Sequence, residues 1–112
     1  MEEILLDTSF ILACIDNKVD FFDYLENEGY KILIPKGVVN ELKGLKKELA
    51  LKLIENNKFE EIAIKGKTVD DSIINYAKEN SKTVIATLDK EMKSKIRNKK
   101  MIIRNRKKLE ID

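Results

Sequence analysis

Apolar residues along this chain fall into short continuous runs, separated by stretches in which apolar residues recur at helical spacing. Most of the runs are rich in Ile, Leu and Val, and apolar residues at consecutive positions predict strands buried on both faces, as in a parallel sheet. The predicted strands cover residues 4–6, 31–34, 59–64, 83–86 and 101–103, with an edge strand at 108–111. Helices are predicted from about residue 10, and over residues 19–28, 35–45, 46–56, 68–80 and 90–97. Strands that alternate with helices predict an α/β fold, in which a central, mainly parallel sheet lies between layers of helices.

Apolar stripes on the predicted helices indicate which faces pack against the sheet. The stripe of the helix that follows Pro35 consists of Val38, Leu42 and Leu45. In the next helix, Leu49 and Leu53 are expected to face inward, with Leu51 and Ile54 as further candidates. Glu41 lies between Val38 and Leu45 on the helical wheel, so an acid at this position is not explained as a residue of the solvent-facing side of the helix.

Composition narrows the class of protein before any site is considered. The 112 residues fit a single domain, 1–112, and 22 Lys and Arg against 20 Asp and Glu leave a net charge of +2. The chain has no histidine, which excludes Ser-His-Asp triads, His-ligated zinc and histidine acid–base chemistry. Cys14 is the single cysteine, so no internal disulfide can form and a reducing, cytoplasmic setting is expected. No apolar run approaches the roughly 20 residues of a membrane span and no signal peptide is visible, so we expect no membrane partner.

Two of the predicted strands are followed within three residues by an aspartate. Ile4-Leu5-Leu6 stops at Asp7, and Val84-Ile85-Ala86 is followed by Thr87, Leu88 and Asp89. If these strands are neighbours in a parallel sheet, both carboxylates emerge at the same rim, where open α/β folds bind ligands. The alternative is that each aspartate only caps the helix that follows it.

Further acids are predicted to lie at this rim. Glu41 belongs to an inward stripe, and Asp70 and Asp71 open a helix whose apolar face packs on the sheet. Converging carboxylates repel each other, and a divalent cation relieves that repulsion. Hard oxygen ligands select Mg²⁺ or Mn²⁺ over zinc. The alternatives are a capping box of Thr68 with Asp71, an Asp70 that complements the helix dipole, and a Glu41 at the edge of its stripe.

At these positions the chain resembles the PIN-domain family of metal-dependent ribonucleases, nearly from end to end. The matching stretches are Leu6-Asp7-Thr8-Ser9, Ile34-Pro35 with Val38-Val39-Asn40-Glu41-Leu42, Val69-Asp70-Asp71-Ser72-Ile73-Ile74, and Val84-Ile85-Ala86-Thr87-Leu88-Asp89. The tail, residues 89–97 with 102–107, looks most like the ribosomal-RNA-processing branch of that family.

The resemblance implies a Rossmann-like three-layer α/β/α fold and a Mg²⁺ or Mn²⁺ site. The family's acids correspond to four residues of this chain, which are Asp7, Glu41, Asp71 and Asp89. Its supporting hydroxyls correspond to Thr8 and Thr87. The helical wheel favours Asp70 as the third acid, whereas the family spacing favours Asp71; we assign the ligand to Asp71 and place Asp70 beside it.

The C-terminal part of the chain is strongly basic. Between residues 90 and 108 the cations are Lys90, Lys93, Lys95, Arg97, Lys99, Lys100, Arg104, Arg106, Lys107 and Lys108, and the only acid is Glu91. A basic run is usually a solvated face, but this one begins directly after Asp89. A basic track beside an acidic metal site suits a nuclease, and Lys93, Arg97 and Arg104 are the candidates for contacts with RNA phosphates.

The expected function is therefore metal-dependent endonucleolytic cleavage of RNA, in the processing of ribosomal RNA. A ribosomal precursor or a protein partner would supply the context, and a homodimer is left open. Two alternatives keep the family: a ribonuclease toxin of a toxin–antitoxin pair, and a PIN-like domain that binds RNA without cutting it. Two further alternatives place the chain outside the PIN-domain family. A haloacid-dehalogenase phosphatase needs a second Asp where Ser9 stands, and a receiver domain needs a pair of acids where the first strand supplies one.

Overall fold

The computed structural model describes all 112 residues as an α/β fold around one six-stranded sheet. The strands are β1 (Glu3–Leu6), β2 (Lys31–Pro35), β3 (Glu60–Ile62), β4 (Val84–Ala86), β5 (Lys100–Arg104) and β6 (Lys108–Ile111). The helices are α1 (Thr8–Asp16), α2 (Phe21–Asn27), α3 (Lys36–Gly44), α4 (Glu48–Glu55), α5 (Val69–Glu79) and α6 (Lys90–Ser94). The predicted α/β class with a mainly parallel sheet is confirmed. None of the helices combines the length and apolar character that crossing a membrane requires.

The order of the strands is β3-β2-β1-β4-β5-β6, and only β6 runs antiparallel to its neighbour. The chain first moves outward from β1 to β2 and β3, and then returns to place β4 on the other side of β1. This reversal creates a topological switch point, the position at which open α/β sheets form a crevice beyond the carboxyl ends of their strands. At the switch point, Leu6 of β1 pairs with Ala86 of β4, so the two strands end at the same level below the crevice.

The strands at the centre of the sheet are apolar because helices cover both of their faces. The side chains of Ile4, Leu5 and Leu6 in β1 and of all three residues of β4 are completely buried. Cys14 of α1 is also buried, and desolvation raises the pKa of its thiol to about 12, which leaves it protonated and unreactive. The predicted pairing of residues 108–111 as an edge strand is confirmed, and Leu109 of this strand is buried.

Several sequence-based expectations about helix faces are wrong. Leu45 is 55% exposed because α3 ends at Gly44, so Leu45 lies at the C-cap, past the packed turns. Leu49 is 69% exposed, since α4 begins at Glu48 and turns Ala50 to the core, together with Ile54, which was among the expected inward residues. Two elements are also shorter than predicted. The strand predicted at 59–64 is ordered as β3 only over Glu60–Ile62, and the helix predicted at 90–97 ends at Ser94.

Candidate functional site

Asp7 lies at the bottom of the crevice, directly beyond the end of β1. Its side chain is 4% exposed, and its backbone N–H donates to the carbonyl of Ala86 at 2.9 Å, which continues the pairing of β1 with β4. Its Oδ1 accepts from the backbone N–H of Thr8 at 2.8 Å. Its Oδ2 accepts from the Ser9 hydroxyl at 2.9 Å and from the Thr87 hydroxyl at 2.7 Å. Asp7 is thus the N-cap of α1, as the plainer alternative proposed, and also a buried carboxylate whose orientation is fixed by three donors.

Two hydroxyl groups join the chain after β1 to the chain after β4. Thr87 is completely buried, and its Oγ1 donates to Asp7 while accepting from the backbone N–H of Asp89 at 3.1 Å. The Ser9 Oγ accepts from the backbone N–H of Leu88 at 3.1 Å and lies 3.3 Å from the Thr87 Oγ1. Sequence reasoning singled out Thr87 but missed Ser9. Two of its three neighbours in this network, Thr87 and Leu88, lie close only because β1 pairs with β4.

Asp89 emerges at the same rim as Asp7, as the two strand endings predicted. It is half-buried and caps α6, since its Oδ1 accepts from the backbone N–H groups of Glu91 at 2.9 Å and Met92 at 3.2 Å. The packing of Met92 and Ile96 into the core fixes the direction in which α6 leaves this cap. Asp89 therefore depends mainly on the backbone of its own helix for its orientation.

Glu41 reaches the crevice from α3. Its Oε1 accepts from the Thr8 hydroxyl at 2.8 Å, which links α3 to the first turn of α1. The expectation that Glu41 lies in a buried stripe is wrong, since the residue is exposed. It is held toward the site by the Thr8 hydroxyl.

Asp70 and Asp71 occupy the first turn of α5. The Thr68 side chain caps this helix, with Oγ1 accepting from the backbone N–H of Asp71 at 3.0 Å. The pKa of Asp70 is raised, first by partial burial and then by the negative charges of Asp7, Asp89, Glu41 and Asp71. Charges from four separate parts of the chain thus act on Asp70. Both acids line one recess with Asp89, and the pKa shift shows that Asp70 is coupled to the other carboxylates. The assignment of the third ligand to Asp71 stays a prediction.

Two glycines allow the start of α5 to come close to the rim. A Cβ atom on Gly66 would lie 2.4 Å from the backbone nitrogen of Ser72, so only glycine permits this approach to α5. A Cβ atom on Gly37 would lie only 2.9 Å from the Val69 Cγ2. Glycine at this position therefore allows the beginnings of α3 and α5 to pack closely together. Sequence reasoning treated Gly66 only as part of a loop and missed its packing role.

The acids of α5 and Asp89 share a recess of about 210 Å³ beside α6. Its lining consists of Thr68, Asp70, Asp71, Ile74, Asp89, Glu91, Met92 and Lys95. Lys95 is the cation of this recess, and it forms an ion pair with Glu91 at 3.2 Å.

No group of three acidic side chains in this structure is arranged so that it could hold a metal ion as it stands. The chemistry of the donor set nevertheless fits Mg²⁺ or Mn²⁺, because it consists of carboxylate and hydroxyl oxygens with no nitrogen or sulfur ligand. Mg²⁺ usually keeps several water molecules and binds through one or two carboxylates, so it does not require a closed cage of protein ligands. Loosely spaced acids around Asp7 are compatible with that mode of binding.

The predicted RNA contacts lie on the C-terminal elements in differing surroundings. Arg97 is exposed and Lys93 is half-buried, and neither forms an ion pair. The Arg104 Nε donates to the carboxylate of Glu110 on the adjacent strand. RNA binding by all three stays a prediction, and Arg104 would have to share its guanidinium between Glu110 and a phosphate.

Comparison with known proteins identifies the class. Residues 4–108 match the family described as PIN like domain, so the chain belongs to this family. Ribonuclease VapC4 from Methanocaldococcus jannaschii is 32% identical over 129 aligned positions, which cover 99% of this chain and 97% of that protein. The rRNA-processing protein fcf1 from Schizosaccharomyces pombe is 32% identical over 101 positions, which cover 84% of this chain and 53% of that protein.

The fold is also that of a solved member of the class. The structure of the PIN domain endonuclease Utp24 superposes with a TM-score of 0.86 at 26% identity, covering 98% of this chain and 90% of that one. The predicted resemblance to the PIN-domain ribonucleases, including their rRNA-processing branch, is confirmed.

Proposed function

We propose that this protein is an endoribonuclease that hydrolyses phosphodiester bonds of RNA with Mg²⁺ or Mn²⁺. The observation that carries the proposal is the junction of β1 and β4. There Asp7 and Asp89 lie on adjacent strand ends, joined by Ser9 and Thr87. The charges of these acids and of Glu41 act together on Asp70. Clustered carboxylates at a topological switch point are suited to hard cations and phosphate chemistry.

In this proposal the ion is held by Asp7, Glu41 and Asp89, together with Asp71 or Asp70 of α5. A bound divalent ion would activate water and stabilise negative charge on the attacked phosphate and on the leaving oxygen. Thr87 and Ser9 hold the Asp7 carboxylate in one orientation, and Thr8 holds Glu41. Since the chain has no histidine, a carboxylate of this cluster is the available acceptor for the proton of the attacking water.

The RNA would be held mainly through its phosphates. Lys93 lies on α6, the helix that Asp89 caps, and Arg97 follows three residues after the end of that helix. The exposed aromatic surface is small, and Tyr24, at 36%, is the only aromatic residue classed as exposed. Recognition is therefore expected to depend on phosphate contacts and RNA shape more than on base stacking.

Two biological roles fit this activity. Processing of ribosomal RNA is supported by the match to the rRNA-processing protein fcf1. A ribonuclease toxin is the second candidate. It is favoured by a specific observation, since the match to VapC4 covers 97% of that protein whereas the chain spans only 53% of fcf1.

A cleavage and binding assay tests the proposal. Wild type and Asp7→Asn would be incubated with a panel of single-stranded, hairpin and ribosomal RNA fragments, with Mn²⁺, with Mg²⁺ and with a chelator. We expect wild type to cut internally only with a divalent ion, and Asp7→Asn to bind RNA without cutting it. Wild type that binds RNA but never cuts it would support the non-catalytic alternative. Cutting restricted to ribosomal fragments would separate the processing role from that of a toxin.

A further inference from the structure

The turn that joins β5 to β6 has an unusual backbone for its sequence. The backbone N–H of Lys107 donates to the carbonyl of Arg104 at 3.2 Å, and this closes a turn with Asn105 and Arg106 at its centre. Both central residues are left-handed, with φ of +54° and +63°. Two consecutive left-handed residues are typical of a type I′ turn, in which Asn followed by Gly is preferred. Asn105 suits the first position, but Arg106 occupies the position at which glycine would be unstrained.

This turn projects past the rim that carries the acids. Ala86, the last residue of β4, pairs with Met101 of β5. The parallel strand β5 continues for three further residues to Arg104. At about 3.3 Å per residue, the turn begins roughly 10 Å beyond the end of β4. The strand next to β4 thus carries a basic turn past the level at which Asp7 emerges, and Arg104 lies as many residues beyond Met101 as Asp89 lies beyond Ala86.

The cations of the turn are free to contact a ligand. Arg106, Lys107 and Lys108 are all exposed, and none forms an ion pair with an acid of the protein. Arg104 differs, because it is paired with Glu110 across the hairpin. The free guanidinium nearest the tip of the turn therefore belongs to Arg106.

Left-handed backbone alone does not distinguish Arg106, since Lys18 and Lys46 have φ of +56° and +54°. Those two lysines follow α1 and α3, helices that begin at the acidic rim and run away from it for nine residues each. Lys46 therefore lies at the far end of a helix that starts at the site. Lys18 also ends such a helix, but it lines one recess with Lys107 and Lys108, so the turn stands beside the C-terminal end of α1. Arg106 combines the strained conformation with a place beyond the rim, where strain is expected to persist for a functional reason.

We propose that Arg106 binds a phosphate of the RNA strand that enters the acidic site, and that its charge is retained there at the expense of backbone strain. The inference rests on the proposed function, because it takes RNA as the ligand. A guanidinium can donate two parallel hydrogen bonds to phosphate oxygens, which a lysine cannot do. The projecting hairpin, beside the C-terminal end of α1, then provides a basic contact for the part of the strand that lies outside the acidic crevice.

The test compares two substitutions to glycine, each of which removes one left-handed residue and one positive charge, at different places in the fold. Arg106→Gly should raise the melting temperature by roughly 2–5 °C, because glycine adopts φ near +60° without cost. It should also weaken binding of a single-stranded RNA about three- to fivefold at 0.15 M salt and reduce the magnitude of the salt slope by about 0.7. Lys46→Gly is the matched control, because it removes one positive charge and one left-handed residue away from the rim. It should raise the melting temperature similarly and leave RNA affinity and salt slope unchanged.

Two further variants separate charge from shape. Asn105→Gly relaxes the neighbouring residue and keeps the arginine, so RNA affinity should be retained. Arg106→Lys keeps charge and strain, and it should retain the salt slope while losing part of the affinity if two hydrogen bonds are made.

The outcomes distinguish this inference from the proposed function. If wild type cuts RNA and Arg106→Gly binds as tightly as wild type, the inference is overturned and the nuclease stands. An equal loss of affinity in Lys46→Gly would also overturn it, because the effect would then be one of net charge. If Arg106→Gly alone loses affinity but wild type never cuts, the contact stands and the nuclease activity falls. Wild type that binds no RNA at all would overturn the contact.

Discussion

Asp7 and Asp89 each follow a buried strand and each cap a helix, but the protein holds them by different means. Asp7 is almost fully buried, and two of its three donors are side-chain hydroxyls, one of them 80 residues away in the chain. Asp89 is half-buried, and its donors are backbone N–H groups two and three residues further along its own helix. The orientation of Asp7 is therefore a product of tertiary structure, whereas that of Asp89 is largely local. The same sequence pattern thus supports two kinds of carboxylate.

The largest effects are expected from removing the charge of each aspartate in turn. Asp7→Asn and Asp89→Asn should each reduce RNA cleavage by more than about 100-fold, since even residues that only orient a metal ligand contribute about 10–100-fold. The stability of the two variants should differ. In Asp7→Asn, the amide NH₂ group would face groups that now donate to the Asp7 carboxylate, so the free energy of unfolding should fall by about 1–3 kcal/mol. Asp89→Asn should cost little, because Asn caps a helix as well as Asp does.

Single-turnover cleavage and chemical unfolding of both variants measure this difference, with RNA binding as the control for the ligand surface. Equal losses of stability in the two variants would contradict the distinction between a tertiary and a local carboxylate.

The hydroxyl groups around Asp7 provide the next test. Thr87→Val keeps the shape of the side chain but removes the donor to Asp7 and the acceptor for the Asp89 N–H. We expect a loss of about 1–3 kcal/mol in the free energy of unfolding and a fall of about 10–100-fold in cleavage. Thr87→Ser should recover most of both. In the matched control, Thr8→Val removes the hydrogen bond to the exposed Glu41 and should cost no more than about 1 kcal/mol.

The position of the acids of α5 depends on close backbone packing at Gly66, whereas the orientation of Asp7 depends on hydroxyl groups. Gly66→Ala would force a methyl group against the backbone of Ser72, and it should destabilise the protein by about 1–3 kcal/mol. Gly44→Ala is the control, since nothing lies within 4 Å of a Cβ atom there and Gly44 is the last residue of α3. That substitution should be neutral or stabilise by up to about 1 kcal/mol. Melting temperatures measure both, and tolerance of alanine at residue 66 would show that α5 can move away from the rim.

The smallest effect distinguishes Asp70 from Asp71. The pKa of Asp70 is raised above its usual value of 3.8 by burial and by the neighbouring carboxylates. A raised pKa in the folded state stabilises the protein fully below the unfolded pKa, and this stabilisation is lost as pH rises through the folded pKa. Without metal ions, wild type should therefore lose stability relative to Asp70→Asn as pH rises from below 3.8 into the neutral range.

Thermal melts at a series of pH values, in the presence of a chelator, measure this loss. Asp71→Asn serves as the comparison, because it removes the adjacent acid from the same turn. The same two variants titrated with Mn²⁺ would show which acid is the ligand. The variant that lacks it should show the smaller rise in melting temperature. A larger pH effect from Asp71→Asn would contradict the assignment of the raised pKa to Asp70.

Much of this protein follows from the sequence because the relevant patterns are local. Continuous apolar runs require strands covered on both faces, and an acid directly after such a run must lie at the rim of the sheet. The placement of Asp7 and Asp89 together needed only the further assumption that the two strands are neighbours. The pattern of motifs from Asp7 to Asp89 was sufficient to identify the family, since the order and spacing of these residues are properties of the chain itself.

Other features were decided by the tertiary structure alone. Nothing near Ser9 in the sequence indicates that its hydroxyl accepts from the N–H of Leu88, 79 residues away. The contact arises from the register of β1 against β4. Asn98 is similar, since its buried amide donates at 2.9 Å to the carbonyls of Asn80 and Thr83 and ties the chain before β5 to the end of α5. Helix faces were also misjudged where the exact start of a helix decides them, as at Leu49.

The sequence by itself determined the alternation of strands and helices, the acids at the strand ends and the basic character of the C-terminal part. The tertiary structure decided which donors hold Asp7, which distant carboxylates act on Asp70, and how far the basic β5–β6 turn extends beyond the end of β4. The physical reason is that apolar periodicity and charge are carried by neighbouring residues. Hydrogen bonds, close glycine contacts and charge coupling instead depend on atoms that only the folded backbone brings within a few ångströms.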